Sequence, residues 1–589
     1  MYDLKIINGL VFDGSGTEPL NTNIAVVDDK LVELGKCEGP SKYTFNAKGS
    51  IVTPGFIDVH THYDGQISWD EKLMPSVNHG VTTAVMGNCG VGFAPCREND
   101  RERLIRLMEG VEDIPGTALH EGIQWDWESF PEYMDAIDRR AHTIDLAVMV
   151  PHDPLRVYVM GERAMFDESA NAQDINRMRT LVHEALQAGA VGFSTGRSDS
   201  HKTADGDWTP ASEAGREELV GIASAFKGLK HGVLQAVNDF DMVRPEDNFD
   251  QEFELMEAYF NASGGRPGSM SLMQRDFAPD DWLKIIAGSE KMNREGLDIR
   301  LQVAPRAIGV FNGLNCTFHP LMAHPSYLGI RELSLAERVA KMRDPEFKRQ
   351  LLSETPTTLA GPGSSVPPLV DMMIEQFPEL AEKLFQLDYQ GAVDYEQSNA
   401  TSIASRARKD GVSVWEKAYD IMLQDQGHAL IYFPVFNYTE MNYDNIYTML
   451  THPKALPGLS DGGAHVGTIC DASFPTYLLS YWARDRALRN KPGIALQRAI
   501  KMLTADAADY LGMQDRGLLK VGLKADINVI DFDALELGVP RMVKDLPAGG
   551  QRLLQPVKGY RAVFVSGEQV IENDQVLSAR PGKLVRMAS

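Results

Sequence analysis

The sequence predicts an α/β fold, a closed (β/α)8 barrel carrying a small β domain built from both chain ends. Three observations predict it. From about residue 52 onward, apolar strand-like runs alternate with helical patterns, as parallel strands joined by crossover helices do. The first fifty residues and the tail beyond Gly512 read instead as short strands separated by turns. The 589 residues also exceed one ordinary core, since a domain averages about 150 residues and a barrel runs to about 250.

In chain order, Leu4 to Phe12 is a strand, and Ile24–Val27 and Leu31–Leu34 flank a polar turn, Asp28-Asp29-Lys30. Leu146–Val150 opens the alternation in earnest. Helix Asp174–Leu186 keeps Ile175, Met178, Leu181 and Leu186 on one side and stops near Gly189. Strand Ala190–Thr195, helix Arg216–Leu229 and strand Gly232–Val237 follow, with Ser269–Met273, Ile299–Ala304 and Ala429–Phe433 as further strands. From Gly309 to Gln426 the rhythm breaks into a Pro- and charge-rich, largely helical stretch that includes the amphipathic Leu333–Leu352. A structureless loop of that length is disfavoured, so a lid or added subdomain is expected there. In the tail, Ala525–Asp531, Ala562–Val565 and Gln569–Ile571 read as strands. The expected division is residues 1–51 with 515–589 as one composite β domain, and 52–514 as the barrel.

The charge balance, 58 basic against 82 acidic residues, leaves −24. Such a surface repels phosphate backbones and anionic lipid heads, so no nucleic-acid or membrane-surface role is expected. Five cysteines cannot staple a chain of this length and suit a reducing compartment. Met1-Tyr2-Asp3-Leu4-Lys5 does not begin a signal peptide, and no apolar run reaches the ~18 residues of a membrane span. A soluble, cytoplasmic enzyme acting on a small molecule is expected, with self-association left open.

Three strand-end motifs carry the chemistry. In Pro54-Gly55-Phe56-Ile57-Asp58-Val59-His60-Thr61-His62, two imidazoles spaced i, i+2 project from one strand face. Burying them side by side is costly unless something binds them, and a divalent metal is the usual reason. Val81 to Gly90 is an apolar strand ending in Gly87-Asn88-Cys89-Gly90. Leu459-Ser460-Asp461-Gly462-Gly463-Ala464-His465 places a carboxylate before a glycine pair. Singly, a buried Cys is ordinary packing and Ser-Asp-Gly an ordinary turn. Together they mark the strand C-termini where barrel enzymes keep their sites.

GFIDVHTHYD, HGVTTAVMGNCG, LSDGGAH and the tail RGLLKVGLKADINVIDFD resemble the amidohydrolase superfamily. Within it, the NCG loop, whose Cys89 follows His60 by 29 residues, is similar to the N-acyl-D-amino-acid deacylases (D-aminoacylases). The resemblance runs end to end except for the 309–426 insert. It implies a TIM-like, metal-dependent barrel, a β-sandwich from both termini, and zinc-dependent hydrolysis of a linear amide. By the same resemblance His60 and His62 are metal ligands and Cys89 is a thiolate ligand. Asp461 becomes the carboxylate that takes a proton from the attacking water, and a ligand in its own right.

The sequence departs from that pattern on the fifth and sixth strands, where the deacylases each carry a further His ligand. Val237, with Gln235 and Asn238 nearby, stands in the first place, and Ser269 to Gln274 contains no His. His231 begins its strand, at the wrong end for a ligand. His201 and His465, and less so His319 and His324 in the insert, are the imidazoles left to compensate. One zinc per chain is therefore expected, with a second in doubt. For a substrate carboxylate, Arg306 and then Arg197 are the candidate guanidinium grips, with His201 and His465 beside them. Met86, Met270, Met273 and Trp69 are candidates to line an acyl pocket. Two rival readings remain at this point. One is a cyclic-amide or lactam hydrolase, which usually bears a carboxylated Lys on the fourth strand; here Lys202 lies beyond it. The other is a barrel that lost ligands and became a non-catalytic binder.

Overall fold

Eight parallel strands form the barrel, hydrogen-bonded in chain order: Phe56–Asp58, Val81–Met86, Asp145–Pro151, Gly192–Arg197, Val233–Asn238, Gly268–Ser271, Ile299–Val303 and Ala455–Pro457. The computed structural model describes residues 1–165, 168–198, 201–238, 240, 248–360 and 368–588. The second to fifth strands are buried along their whole length, which is why they read as continuous apolar runs rather than alternations. The eighth strand meets the first through loop backbone. His62 N donates to Gly462 O (2.8 Å) and Asp461 N to His60 O (3.2 Å). The strand expected at Ala429–Phe433 is Ile431–Phe436, and it lies outside the barrel. It pairs antiparallel with Ile308–Asn312 and Phe385–Gln386 in a separate three-stranded sheet. The true eighth strand, three residues ending in Pro457, is too short to show a period.

The two chain ends build one nine-stranded sheet. Tyr2–Val11, Leu20–Val27, Lys30–Gly35, Ser41–Asn46 and Ile51–Pro54 are joined by Ile527–Ile530, Tyr560–Val565, Glu568–Glu572 and Gln575–Val576. The seam is the antiparallel pair Ile51–Pro54 with Ile527–Ile530. Ile24, Val26, Val52, Ile527, Val529 and Phe564 share one apolar cluster, a face that neither end could bury alone. The N-terminal contribution thus runs three residues beyond 51, to Pro54. Two parts of the tail leave the sheet. Residues 536–558 form two small hairpin-like pairs that reach the barrel mouth, where Leu553 N donates to Val466 O (2.7 Å). Farther on, Lys583 O accepts from Leu146 N (3.0 Å), laying the last residues against the third barrel strand.

Asp145, on that strand, clamps barrel to tail. Its buried carboxylate holds Arg516 Nη1 at 2.6 Å and Lys524 Nζ at 2.8 Å. Asp145→Ala leaves both buried cations short of their shared partner. It is expected to cost about 3–5 kcal/mol, read as a lower denaturant midpoint.

The insert between the seventh and eighth strands is largely helical, with its own apolar core of Leu321, Tyr327, Val339, Leu351, Phe377 and Tyr419. Residues 361–367 of it lie outside the described residues. The amphipathic stretch expected over Leu333–Leu352 comprises two helices, Leu335–Met342 and Pro345–Ser353. Pro345 disfavours helical backbone at Asp344, whose side chain instead caps the second helix through Glu346 N. No helix among the described residues is long and apolar enough to cross a membrane.

Candidate metal centre

The loop-mediated meeting of the first and eighth strands puts His60, His62 and Asp461 side by side, and a stitch beneath them fixes the register. Asp58 accepts from His60 N (3.1 Å) and from Ser460 Oγ (2.6 Å), so the Asp of the HxH motif ties the two strand ends together. Burial pushes the Asp58 carboxyl up to about 6. Asn88 Nδ2 donates to Val85 O (2.8 Å) and Thr61 O (3.2 Å), docking the Cys89 loop on the first strand. The glycines around that loop answer to close approach. A Cβ on Gly196 would lie 2.0 Å from Cys89 O, and Gly87, at φ +81°, would meet Met149 O at 2.3 Å.

Four side chains converge there. Ligand atoms of His60, His62 and Cys89 all lie within 4.8 Å of one another. His60 Nε2 stands 3.1 Å from Cys89 Sγ and 3.1 Å from Asp461 Oδ1, and His62 Nε2 lies 3.4 Å from that same oxygen. Cys89, Asp461 and His465 occupy left-handed backbone (φ 54°, 49° and 47°). Each such residue costs on the order of 1–3 kcal/mol, and such strain clusters at functional sites. Burial works against charge on His60, but the Asp461 carboxylate outweighs it and raises the ring above its ordinary value. Burial pushes His62 down to about 4, leaving it neutral. Asp461 is partly exposed, and although desolvation opposes its charge, His60 and His62 hold its carboxyl well below the usual range. Burial, with Asp461 and Glu112 nearby, drives the Cys89 thiol well up.

A hydrogen-bond chain fixes the tautomer of His60. Gln302 Nε2 donates to Ser269 Oγ (2.9 Å), so Gln302 Oε1 is the acceptor for His60 Nδ1–H at 2.8 Å. Ser269 in turn meets Tyr510 OH (2.8 Å), which donates to Leu234 O (3.3 Å). In the neutral ring this places the lone pair on Nε2, facing Cys89 and Asp461. Both ring nitrogens of His62 lack a hydrogen-bond partner among the described residues. Two imidazoles, a thiol and a carboxylate in one buried spot are a donor set that fits zinc.

Sequence reasoning missed Gln302 and Glu112. Glu112, the last residue of helix Arg101–Glu112, puts a fully buried carboxylate 3.3 Å from His62 Nδ1 and 3.3 Å from His465 Nε2. A signal was present in Glu112-Asp113, two acids at a helix C-terminus where the dipole favours cations. Gln302 carried none, being one amide in an apolar strand.

The other candidates fall in three places. His465 and His201 border the cluster. Burial and the neighbouring His465 and His62 push His201 down to about 3, while burial outweighs Asp461 at His465 and lowers it. Arg306, expected to grip a substrate carboxylate, is wholly buried. It pairs with Asp471 (2.9 Å) and lies 4.0 Å from the centre of the Tyr395 ring, because the insert covers that end of the seventh strand. Arg197 is likewise committed, with Nε and Nη2 each 2.8 Å from Glu252. His319 and His324 pack on Tyr327 and Trp415 inside the insert. Gln235 is fully buried opposite Ser194 and Ser269, below Val237. Met86, Met270 and Met273 belong to the main core. A cleft beside Asp461 is lined by Gly462 to Ala464, Asp471, Arg552 and Leu553.

Residues 43–571 match the sequence profile of the amidohydrolase family. The chain belongs to that family. Among curated relatives, the D-aminoacylase of Alcaligenes xylosoxydans xylosoxydans is 24% identical over 595 residues, covering 99% of this chain and 97% of its own. The N-acyl-D-aspartate deacylase of the same organism is 25% identical over 591 residues, covering 99% and 95%. Among solved structures, the N-acyl-D-glutamate deacylase of Bordetella bronchiseptica, complexed with zinc and a phosphonate inhibitor, superposes with a TM-score of 0.63 at 22% identity. That match covers 99% of both chains. It shows that this amidohydrolase shares their barrel and terminal β domain.

Proposed function

We propose that this amidohydrolase cleaves a linear amide C–N bond, most simply that of an N-acyl amino acid, with one zinc per chain. The observation that carries the reading is the convergence of His60 Nε2, Cys89 Sγ and Asp461 Oδ1 at 3.1 Å separations. The names of the full-length relatives, D-aminoacylase and N-acyl-D-aspartate deacylase, support the substrate class. The fourth strand, Gly192–Arg197, has no lysine to be carboxylated, which weighs against a cyclic-amide hydrolase. Five free cysteines and the acidic surface suit a cytoplasmic setting.

His60, His62, Cys89 and Asp461 would hold the zinc. A metal there supplies Lewis-acid activation of water and of the scissile carbonyl. The protein's own groups do the rest. Gln302 keeps the His60 proton on Nδ1 and its lone pair on Nε2. Asp461, held low by the two imidazoles, is a carboxylate at neutral pH and can accept a proton from the attacking water. Passing that proton to the departing amine completes the hydrolysis.

Elemental analysis of purified protein, paired with an assay of N-acyl-D- and N-acyl-L-amino acids and lactams with and without added zinc, tests the reading. One zinc per chain and zinc-dependent release of the free amino acid are expected, and no metal with no turnover defeats it. Gln235→Ala is expected to leave that one zinc in place, because a neutral amide is a poor partner beside thiolate and imidazole. Loss of the metal in this variant would make Gln235 a ligand.

A further inference from the structure

We propose that Glu112 is a positioning residue of the metal centre, holding His62 from the side away from the metal and anchoring His465 beside it. This rests on the reading that His62 binds a metal through Nε2. His62 Nε2 faces Asp461 at 3.4 Å, whereas its Nδ1 faces Glu112 Oε1 at 3.3 Å. A carboxylate behind an imidazole keeps the proton on the near nitrogen, turns the ring, and makes the far nitrogen a better donor. Gln302 stands behind His60 in the same way with an amide, so a carboxyl backs one histidine and an amide the other.

Nothing in the packing of Glu112 itself explains a carboxylate there. The residue is completely buried, and neither oxygen has a hydrogen-bond partner among the described residues. It also ends its helix, where the dipole disfavours negative charge. Burial of an unpaired charge at the wrong helix end is doubly unfavourable. Among the described residues its ion-pair partners are two imidazoles, His62 Nδ1 and His465 Nε2, each at 3.3 Å, while burial and the Asp461 and Asp64 carboxylates oppose its charge. Its backbone carbonyl also accepts from His465 N. The next residue, Asp113, accepts from Gly467 N (3.2 Å) and Thr317 Oγ1 (3.0 Å), gripping the same loop without touching an imidazole. That neighbour separates a structural role from a positioning one.

The test measures zinc dissociation constants of the full chain by chelator competition, for the parent, Glu112→Gln, Glu112→Ala and Asp113→Asn. Folding of each is checked by circular dichroism. Both Glu112 variants are expected to bind zinc about 10–100-fold more weakly, with Asp113→Asn within about threefold of the parent by the same reckoning. In the cobalt-substituted parent and Glu112→Gln, the visible spectrum should differ, since the ring bound to the metal has changed its donor strength. Should the alanine variant fail to fold, the near-isosteric Gln variant decides alone. Glu112 variants that bind as tightly as the parent overturn the proposal. So does an equal loss in Asp113→Asn, which would reduce Glu112 to a loop support. A parent that binds no zinc would instead defeat the metal reading itself, and this inference with it.

Discussion

His60→Ala is expected to remove the metal and the activity together. The ring is buried, hydrogen-bonded to Gln302, and 3.1 Å from both Cys89 Sγ and Asp461 Oδ1. Its loss leaves His62, Cys89 and Asp461, the bare minimum of three protein donors beside solvent, and removes the one imidazole that Gln302 orients. Lewis-acid activation is worth several kcal/mol and each ~1.4 kcal/mol is a factor of ten, so kcat/KM should fall by about a thousandfold or more. Zinc per chain, measured on dialysed protein, should fall toward zero in parallel. A variant that keeps one tightly held zinc would show that the donors lie elsewhere, with His201 and His465 the nearest alternatives.

Asp461→Asn should separate proton transfer from metal binding. The amide has the shape of the carboxylate and can still present an oxygen to the two Nε2 atoms, but it cannot carry a proton from water to the leaving amine. General acid–base groups are worth about 10²–10⁴-fold, so kcat should fall in that range while KM moves little. Zinc content should survive in part, because His60, His62 and Cys89 remain grouped within 4.8 Å. An Asn variant with kcat within about tenfold of the parent would assign the proton transfer to another group. Both variants need only the purified enzyme and one N-acyl amino acid that it turns over.

The legible parts of this protein were those where chemistry is written locally. The strands buried on both faces announce themselves as apolar runs, and His60, His62, Cys89 and Asp461 sit in short strings whose spacing places them at strand ends. The eighth strand was not legible, because three residues closed by Pro457 carry no period. Ile431–Phe436 has the apolar β-rich composition of a barrel strand and became part of the insert's sheet. Arg306 stands where a substrate grip belongs by sequence, but whether a strand-end guanidinium faces a cleft or a covering subdomain is settled by what packs over it.

By itself the sequence determined the alternating barrel, the pairing need of the two chain ends, and the kinds of donor atoms available for a metal. Those follow from periodicity, residue type and short-range spacing, all of which are local. Only the tertiary structure decided which groups stand behind the donors. Gln302 comes from the seventh strand, 242 residues after His60, and Glu112 from a helix end 353 residues before His465. Their hold on the imidazoles depends on barrel closure and on one helix ending against one loop. Contacts across such distances leave no spacing to read, because the fold and not the chain brings their partners together.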